Sequence, residues 1–232
     1  MKAIILAAGL GRRLRPYTKN LPKCLIEIKG KAMLERQINL LRSCGVKDIL
    51  VVCGFQAKKV KLFCRRFKGV EVILNPLYAH SNSVISVWLS MSRWNGDLIF
   101  MNSDILLDKL LLERVIQDKS QISVLVKKGK KDGYRVRLDK GKVIKMAMDI
   151  PDKLTFGVYS GITKIRYNYL KIFGRILEKW LEQGRWNDWY EDVVSEMAGK
   201  GFGVKPVLIN SLFWHEIDTP ADLASLRRII KK

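Results

Sequence analysis

The chain holds 232 residues, with 43 lysines and arginines against 22 aspartates and glutamates, a formal net charge of +21. Apolar residues make up 48 % and charged residues 28 %, which excludes a disordered chain and allows one domain that folds without disulfides or a structural metal. No run approaches the roughly 18 apolar residues of a bilayer span, and the four cysteines contain no Cys-x-x-Cys pair, so the expectation is a cytoplasmic protein with reduced thiols.

In chain order, residues 3–8 are continuously apolar, as in a strand buried on both faces. A glycine-containing loop spans 9–22, and 25–28 reads as a short strand. Residues 32–44 are periodic at helical spacing, with Gly45 as the stop. A strand at 49–53, a helix at 56–67 and a strand at 70–74 follow. Residues 83–93 read as a helix with Ser81 or Asn82 as its N-cap. A strand at 98–101 ends at Asn102-Ser103-Asp104. A helix at 108–118 and a strand at 122–127 come next. The alternation around the turn 139–142 predicts a β-hairpin over 134–148. A strand at 156–163, helices at 167–183 and 190–199, a strand at 203–209 and a helix at 220–230 complete the chain.

Repeated βα units predict an α/β fold: a Rossmann-like, mostly parallel sheet with helices on both faces, carrying a small hairpin and helical insertion. No linker divides the chain, so one integrated domain over 1–232 is expected.

The charge is concentrated early. Residues 1–70 contain 17 lysines and arginines but only Glu27, Glu35 and Asp48, a net +14. Such a chain suits nucleic acid, and it equally suits an enzyme with anionic substrates. Lys58, Lys59, Lys61, Arg65, Arg66 and Lys68 fall on one predicted helix. The plain reading is a solvated face; contact with a membrane surface is the sharper one. No helix-turn-helix, zinc-finger or stacking motif accompanies the charge, so nucleic acid is not the expected partner.

The most informative string is Leu6-Ala7-Ala8-Gly9-Leu10-Gly11-Arg12-Arg13-Leu14-Arg15-Pro16-Tyr17-Thr18, followed by Pro22-Lys23. Small residues at Ala7 and Ala8 let a ligand approach the backbone. Gly9 and Gly11 can expose N–H groups to anionic oxygens, and Arg13 and Lys23 add charge. The loop follows the carboxyl end of strand one, where open α/β sheets bind ligands. It is neither a complete G-x-G-x-x-G, since Leu14 replaces the third glycine, nor a P-loop.

This string resembles the signature loop of the nucleotidyltransferases that activate sugar phosphates and phospho-alcohols. Asn82-Ser83-x-x-Ser86, Asn102-Ser103-Asp104, Ser160-Gly161-Ile162 and Glu216-Ile217-Asp218 follow in the expected order. The segment 75–90 and the short C-terminus most resemble the phosphocholine and inositol-1-phosphate cytidylyltransferase branch.

The resemblance implies CTP and a phosphorylated small alcohol as partners, with release of pyrophosphate. It implies Mg²⁺ as cofactor, held by Asp104 and Asp218; two aspartates acting as helix N-caps are the alternative. Arg13 and Lys23 are the implied catalytic residues. Leu6, Ala7, Ala8, Gly9, Gly11, Arg12, Asn82, Ser83 and Ser103 would bind the nucleotide. Tyr134, Tyr159, Ser160, Gly161, Trp189, Glu191 and Glu216 would face the acceptor, with Glu216 also in reach of the metal. The division is then about 1–130 for the nucleotide, 131–215 for the acceptor and 216–232 for the C-terminal metal ligand and helix. A homodimer is compatible with the pattern.

Two positions depart from the family pattern. Arg12 stands where a small hydroxyl residue is usual, and Asn102 stands where related enzymes often have an aspartate. A relative using UTP, dTTP or GTP, a nucleotide sensor without turnover, and a nucleic-acid-binding protein are the alternatives.

Overall fold

The computed structural model describes residues 1–129 and 133–230. The chain runs β1 (Lys2–Ala7), β2 (Glu27–Ile28), β3 (Lys31–Ala32), α1 (Met33–Ser43), β4 (Asp48–Cys53), α2 (Ala57–Cys64), β5 (Val70–Leu74) and α3 (Ser83–Leu89). It continues with β6 (Leu98–Asn102), β7 (Ile105–Leu107), α4 (Lys109–Gln117), β8 (Ile122–Lys128), β9 (Arg135–Asp139) and β10 (Lys142–Ala147). Then come β11 (Gly157–Ile165), α5 (Tyr167–Glu182), α6 (Tyr190–Gly199), β12 (Val204–Leu208), β13 (Trp214–Glu216) and α7 (Pro220–Ile229).

β1 lies between β4 and β6 and is parallel to both, with Ile4 opposite Leu50 on one side and Phe100 on the other. β5 extends the parallel set beyond β4. β11 runs against β6, β8 runs against β11, and β12 is parallel to β8. The expected mixed α/β fold with a mostly parallel central sheet is therefore present, and the antiparallel strands are β10 and β11. Residues alternate between two cores, as a pleated strand requires. Ile4, Leu50, Val52 and Phe100 pack with α3, α5 and α6. Ala3, Ile5, Ala7, Val51 and Met101 pack with α1, α2 and α4 on the other face.

Several boundaries differ from the sequence reading. Of the expected strand at 25–28 only Glu27–Ile28 is extended, as β2 paired with β3, and a 3₁₀ turn at Lys23–Leu25 precedes it. α2 stops at Cys64, and turns carry the chain on through Phe67, whose N–H donates to the Cys64 carbonyl. The helix expected over 83–93 stops at Leu89; Ser90 donates its hydroxyl back to the Val87 carbonyl, and Met91–Arg93 is a 3₁₀ turn. The hairpin is present as β9 and β10. The cysteines are free thiols, and burial pushes Cys64 up to about 12.

β11 makes the opening that matters. One of its edges pairs with β9 at Gly157 and Val158 and with β6 from Ile162 onward. Ser160 and Gly161 lie between the two partners. The opposite register, with β8, is irregular over the same stretch, between Tyr159 and Thr163. Gly161 has φ +83°, and a Cβ there would lie 2.9 Å from Ile105 Cγ2 and 3.4 Å from Asn102 Cβ. Only glycine fits such a left-handed, crowded position.

Candidate active site

A cleft of about 1070 Å³ opens at the carboxyl ends of β1 and β6 and over the unpaired stretch of β11. Leu6, Ala8, Gly9, Arg13, Asn82, Ser83, Ser103 and Asp104 line one part of it. Tyr134, Tyr159, Ser160, Gly161, Trp189, Glu191, Glu216 and Asp218 line the rest.

Three elements build the acidic centre. β6 ends at Asn102, and Ser103-Asp104 turns the chain into β7. β13 pairs antiparallel with β7, placing Glu216 opposite Ile105, and the Ile217 N–H donates to the Asp104 carbonyl at 3.0 Å. This short ladder carries Asp218 to Asp104. The carboxylate oxygens of Asp104, Glu216 and Asp218 lie within 4.8 Å of one another. Neither aspartate caps a helix. Asp104 precedes a strand, and the N-cap of α7 is Thr219, whose capping box with Asp222 also accepts the Asp218 N–H at 3.0 Å.

Two cations neutralise this centre. Lys23 Nζ donates to Asp104 Oδ2 at 2.8 Å and to Asp218 Oδ1 at 2.7 Å. Burial alone would lower the Lys23 pKa, but attraction from Asp104 and Asp218 outweighs it, and the net shift is upward. Arg13 Nη2 lies 2.9 Å from Asp218 Oδ2, with most of its side chain exposed to the cleft. Leu14 fixes that loop: it is fully buried beside Ile217 and Leu223. Gly11, at φ +60°, starts the turn, and its carbonyl accepts the Thr18 hydroxyl at 2.6 Å.

The acidic donor set fits a divalent cation. Oxygen ligands suit Mg²⁺. Asp104 Oδ1 is buried without a hydrogen-bond partner among the described residues. Burial and the neighbouring Asp104 and Asp218 push Glu216 up to about 8. A cation would relieve both conditions.

The far wall has a different character. Ser83 Oγ accepts the Tyr190 N–H at 3.0 Å and donates to Glu191 Oε2 at 3.4 Å. Glu191 is 6 % exposed, and burial pushes its carboxyl up to about 8. The Asn82 carbonyl oxygen of the side chain accepts the Ser83 N–H, and the Asn82 N–H donates to the Trp186 carbonyl. Tyr134 and Trp189 meet edge to face at 5.7 Å, and the Tyr134 hydroxyl donates to Asp192.

Several expected site residues have side chains that lie apart from the cleft lining or are engaged elsewhere. Ala7 faces the core opposite the cleft, because adjacent strand residues alternate in direction and Leu6 already points to the cleft side. Gly11 shapes the loop from outside the cleft wall, and Arg12 is exposed and lies outside that wall. Tyr159 borders the cleft, but its hydroxyl pairs with Tyr190 and Thr163 in the core. Glu216, assigned to the acceptor, belongs to the acidic centre.

The sequence reading also missed lining residues. Asn75, 1 % exposed, donates to Ser86 Oγ and accepts the Leu77 N–H. Tyr78 packs against Gly54 so closely that a Cβ on Gly54 would sit 2.4 Å from it. Asn75-Pro76 at a strand end was the available signal. Lys127, Trp214 and His215 also line the cleft; the Lys127 ammonium lies 5.1 Å from the Trp214 ring centroid.

Known proteins resemble the chain in sequence and in fold. The chain is 28 % identical over 231 residues to the choline-phosphate cytidylyltransferase of Streptococcus pneumoniae, covering 100 % of this chain and 99 % of that one. It is 24 % identical to the bifunctional IPC transferase and DIPP synthase of Aquifex aeolicus, spanning 99 % of this chain but 52 % of that protein. The solved CTP:phosphocholine cytidylyltransferase of S. pneumoniae superposes with a TM-score of 0.86 at 25 % identity, over 99 % of both chains. The inositol-1-phosphate CTP transferase of T. maritima shares the fold, with a TM-score of 0.79 at 19 % identity over 100 % of this chain and 98 % of that one. Residues 3–232 match the MobA-like NTP transferase domain, and the chain belongs to that family.

Proposed function

We propose that the chain is a cytidylyltransferase that joins CTP to a phosphorylated small alcohol and releases pyrophosphate. The observation that carries this reading is the meeting of Asp104, Glu216 and Asp218 with Lys23 and Arg13 in one cleft. The preference for CTP rests on the relatives whose names state it.

In this reaction an acceptor phosphate oxygen bonds to the α-phosphorus, and the bond from that phosphorus to the β-bridging oxygen breaks. Pyrophosphate leaves with the electron pair. The attacking oxygen is already anionic, so alignment and charge neutralisation suffice and no strong base is needed. Asp104, Asp218 and Glu216 would hold Mg²⁺, which when bound supplies Lewis-acid neutralisation of phosphate charge. Arg13 binds the triphosphate and steadies the departing pyrophosphate. Lys23 keeps Asp104 and Asp218 together and contributes its charge to the α-phosphate or the acceptor phosphate. Leu6, Ala8, Gly9, Asn82, Ser83 and Ser103 border the nucleotide. Ser160, Gly161, Tyr134, Trp189 and Glu191 border the acceptor. Residues 1–130, 131–215 and 216–232 divide these roles.

The test is pyrophosphate release with Mg²⁺, CTP, UTP, dTTP or GTP, and a panel containing phosphocholine, inositol phosphate, a phosphonate and a sugar phosphate. CTP with one phospho-alcohol is the expected productive pair. Faster release with another nucleotide, or none with CTP and any acceptor, overturns the assignment.

A further inference from the structure

Gln37 sits in the second turn of α1, and none of its surface reaches solvent. Its neighbours on that face, Met33, Leu34, Ile38 and Leu41, are apolar and buried, so the helix pattern alone would call for another apolar residue. Gln37 Nε2 donates instead to two backbone carbonyls: Asn102 at 2.8 Å and Ile105 at 2.9 Å. These carbonyls bracket Ser103-Asp104.

An amide nitrogen carries two hydrogens, and both are committed to this one turn. The orientation is determined by the partners, because the flipped amide would set its oxygen against two carbonyl oxygens. Gln37 Oε1 is consequently buried without a partner among the described residues. A pocket of about 190 Å³, open to the surface, adjoins Gln37 and is bounded by Leu40, Ile105, Leu106, Leu107 and Phe213. Gly161 approaches Ile105 and Asn102 closely. The turn that presents Asp104 is thus held by a close approach to β11 and by the Gln37 amide.

We infer that Gln37 is a positioning residue that fixes the turn 102–105, aims the Asp104 carboxylate at the cleft and thereby sets divalent-cation affinity. The inference rests on the reading of Asp104 as a metal ligand. Groups that orient a ligand from behind typically change metal affinity 10–100-fold when removed.

The test compares Gln37→Met, which keeps the volume and loses both donors, with Leu41→Ala, which loosens the same helix and removes no hydrogen bond to the turn. Amide hydrogen exchange is read over 102–105, and Mn²⁺ binding is measured on the full chain without nucleotide. Gln37→Met should speed exchange at 102–105 about tenfold relative to Leu41→Ala and weaken Mn²⁺ about tenfold. Gln37→Glu should do the same, and restoring glutamine should restore both. Equal exchange and equal Mn²⁺ affinity in Gln37→Met and Leu41→Ala would overturn the inference. Mn²⁺ binding by the unsubstituted chain without pyrophosphate release from any nucleotide would sink the proposed reaction, while the exchange and affinity comparison still decides the role of Gln37. If the unsubstituted chain binds no Mn²⁺, the cation half of the inference is wrong, and the exchange data report on the turn alone.

Discussion

Lys23 and Asp218 stand 195 positions apart in sequence, yet their charged atoms meet at 2.7 Å. The same ammonium reaches Asp104. The chain therefore carries a counter-charge for its own acidic centre.

Replacing Lys23 with alanine should have two separable effects. Turnover should fall by ~10²-fold or more, because an ammonium acting on developing phosphate charge contributes chiefly in the transition state. Three carboxyl groups would also face one another without Lys23. Thermal unfolding of Lys23→Ala should then depend on added Mg²⁺ far more than that of the unsubstituted chain. A rate near the unsubstituted value in the pyrophosphate assay would remove Lys23 from the mechanism. The upward shift of its pKa also sets a pH limit. The ion pairs are fully formed below the usual lysine range and are lost only as pH rises through the higher folded-state value.

Glu191 acts in the same direction in a lower pH window. Its carboxyl is pushed up to about 8 by burial. Between its ordinary pKa of 4.5 and about 8, the unfolded chain has lost this proton and the folded chain keeps it. Stability should therefore fall as pH rises through that window, by up to about 1.4 kcal/mol per unit from this group. Glu191→Gln should flatten that part of the profile in urea melts at pH 5 and pH 8. An unchanged slope would show that Glu191 is ionised in the folded chain.

Gly161→Ala tests the opening in β11. The added methyl meets Ile105 at 2.9 Å in a backbone conformation that disfavours alanine. A loss of about 1–3 kcal/mol is expected, together with a drop in turnover greater than tenfold as Ile105 and the neighbouring Asp104 shift. Urea titration and initial rates measure the two. Full activity would mean that the turn 102–105 tolerates displacement.

Much of the fold was readable because its signals are local. The apolar run in β1, the helical spacing of Met33, Ile38 and Leu41, and the alternation in β9 and β10 each follow from burial on known faces, although Leu40, read with that spacing, is only partly buried. β7 and β13 were not readable. Each has three residues, too few for a period, and each exists through pairing with the other. That pair is what joins Asp104 to Asp218, so the motifs named both aspartates while their meeting was hidden. Alternation also turns the Ala7 side chain away from the cleft that Leu6 and Ala8 line, so any nucleotide contact there would be through its backbone. Gln37 left one local signal, a polar residue on an apolar helix face, but its partners are backbone carbonyls 65 and 68 positions away, beyond the reach of any pattern.

Trp189 lines the cleft beside Tyr134, in the part proposed to take the acceptor. If the acceptor carries a quaternary ammonium, Trp189→Ala should raise its KM about tenfold through loss of a cation–π contact. The KM for CTP should stay unchanged. Initial rates over a matrix of both substrates separate these effects, and equal increases in both would place Trp189 outside acceptor recognition.

The unpaired stretch at Ser160 and Gly161 has a consequence for the behaviour of the protein in a crowded solution. Exposed strand edges usually lie at the rim of a sheet, where they can template pairing with another chain and lead to aggregation. Here the gap lies inside the sheet, flanked by β6 and β9 and too short to seat a foreign strand. Trp214 Nε1 already donates to the Ser160 carbonyl at 2.9 Å. The gap therefore lines the cleft without offering a free edge to another polypeptide.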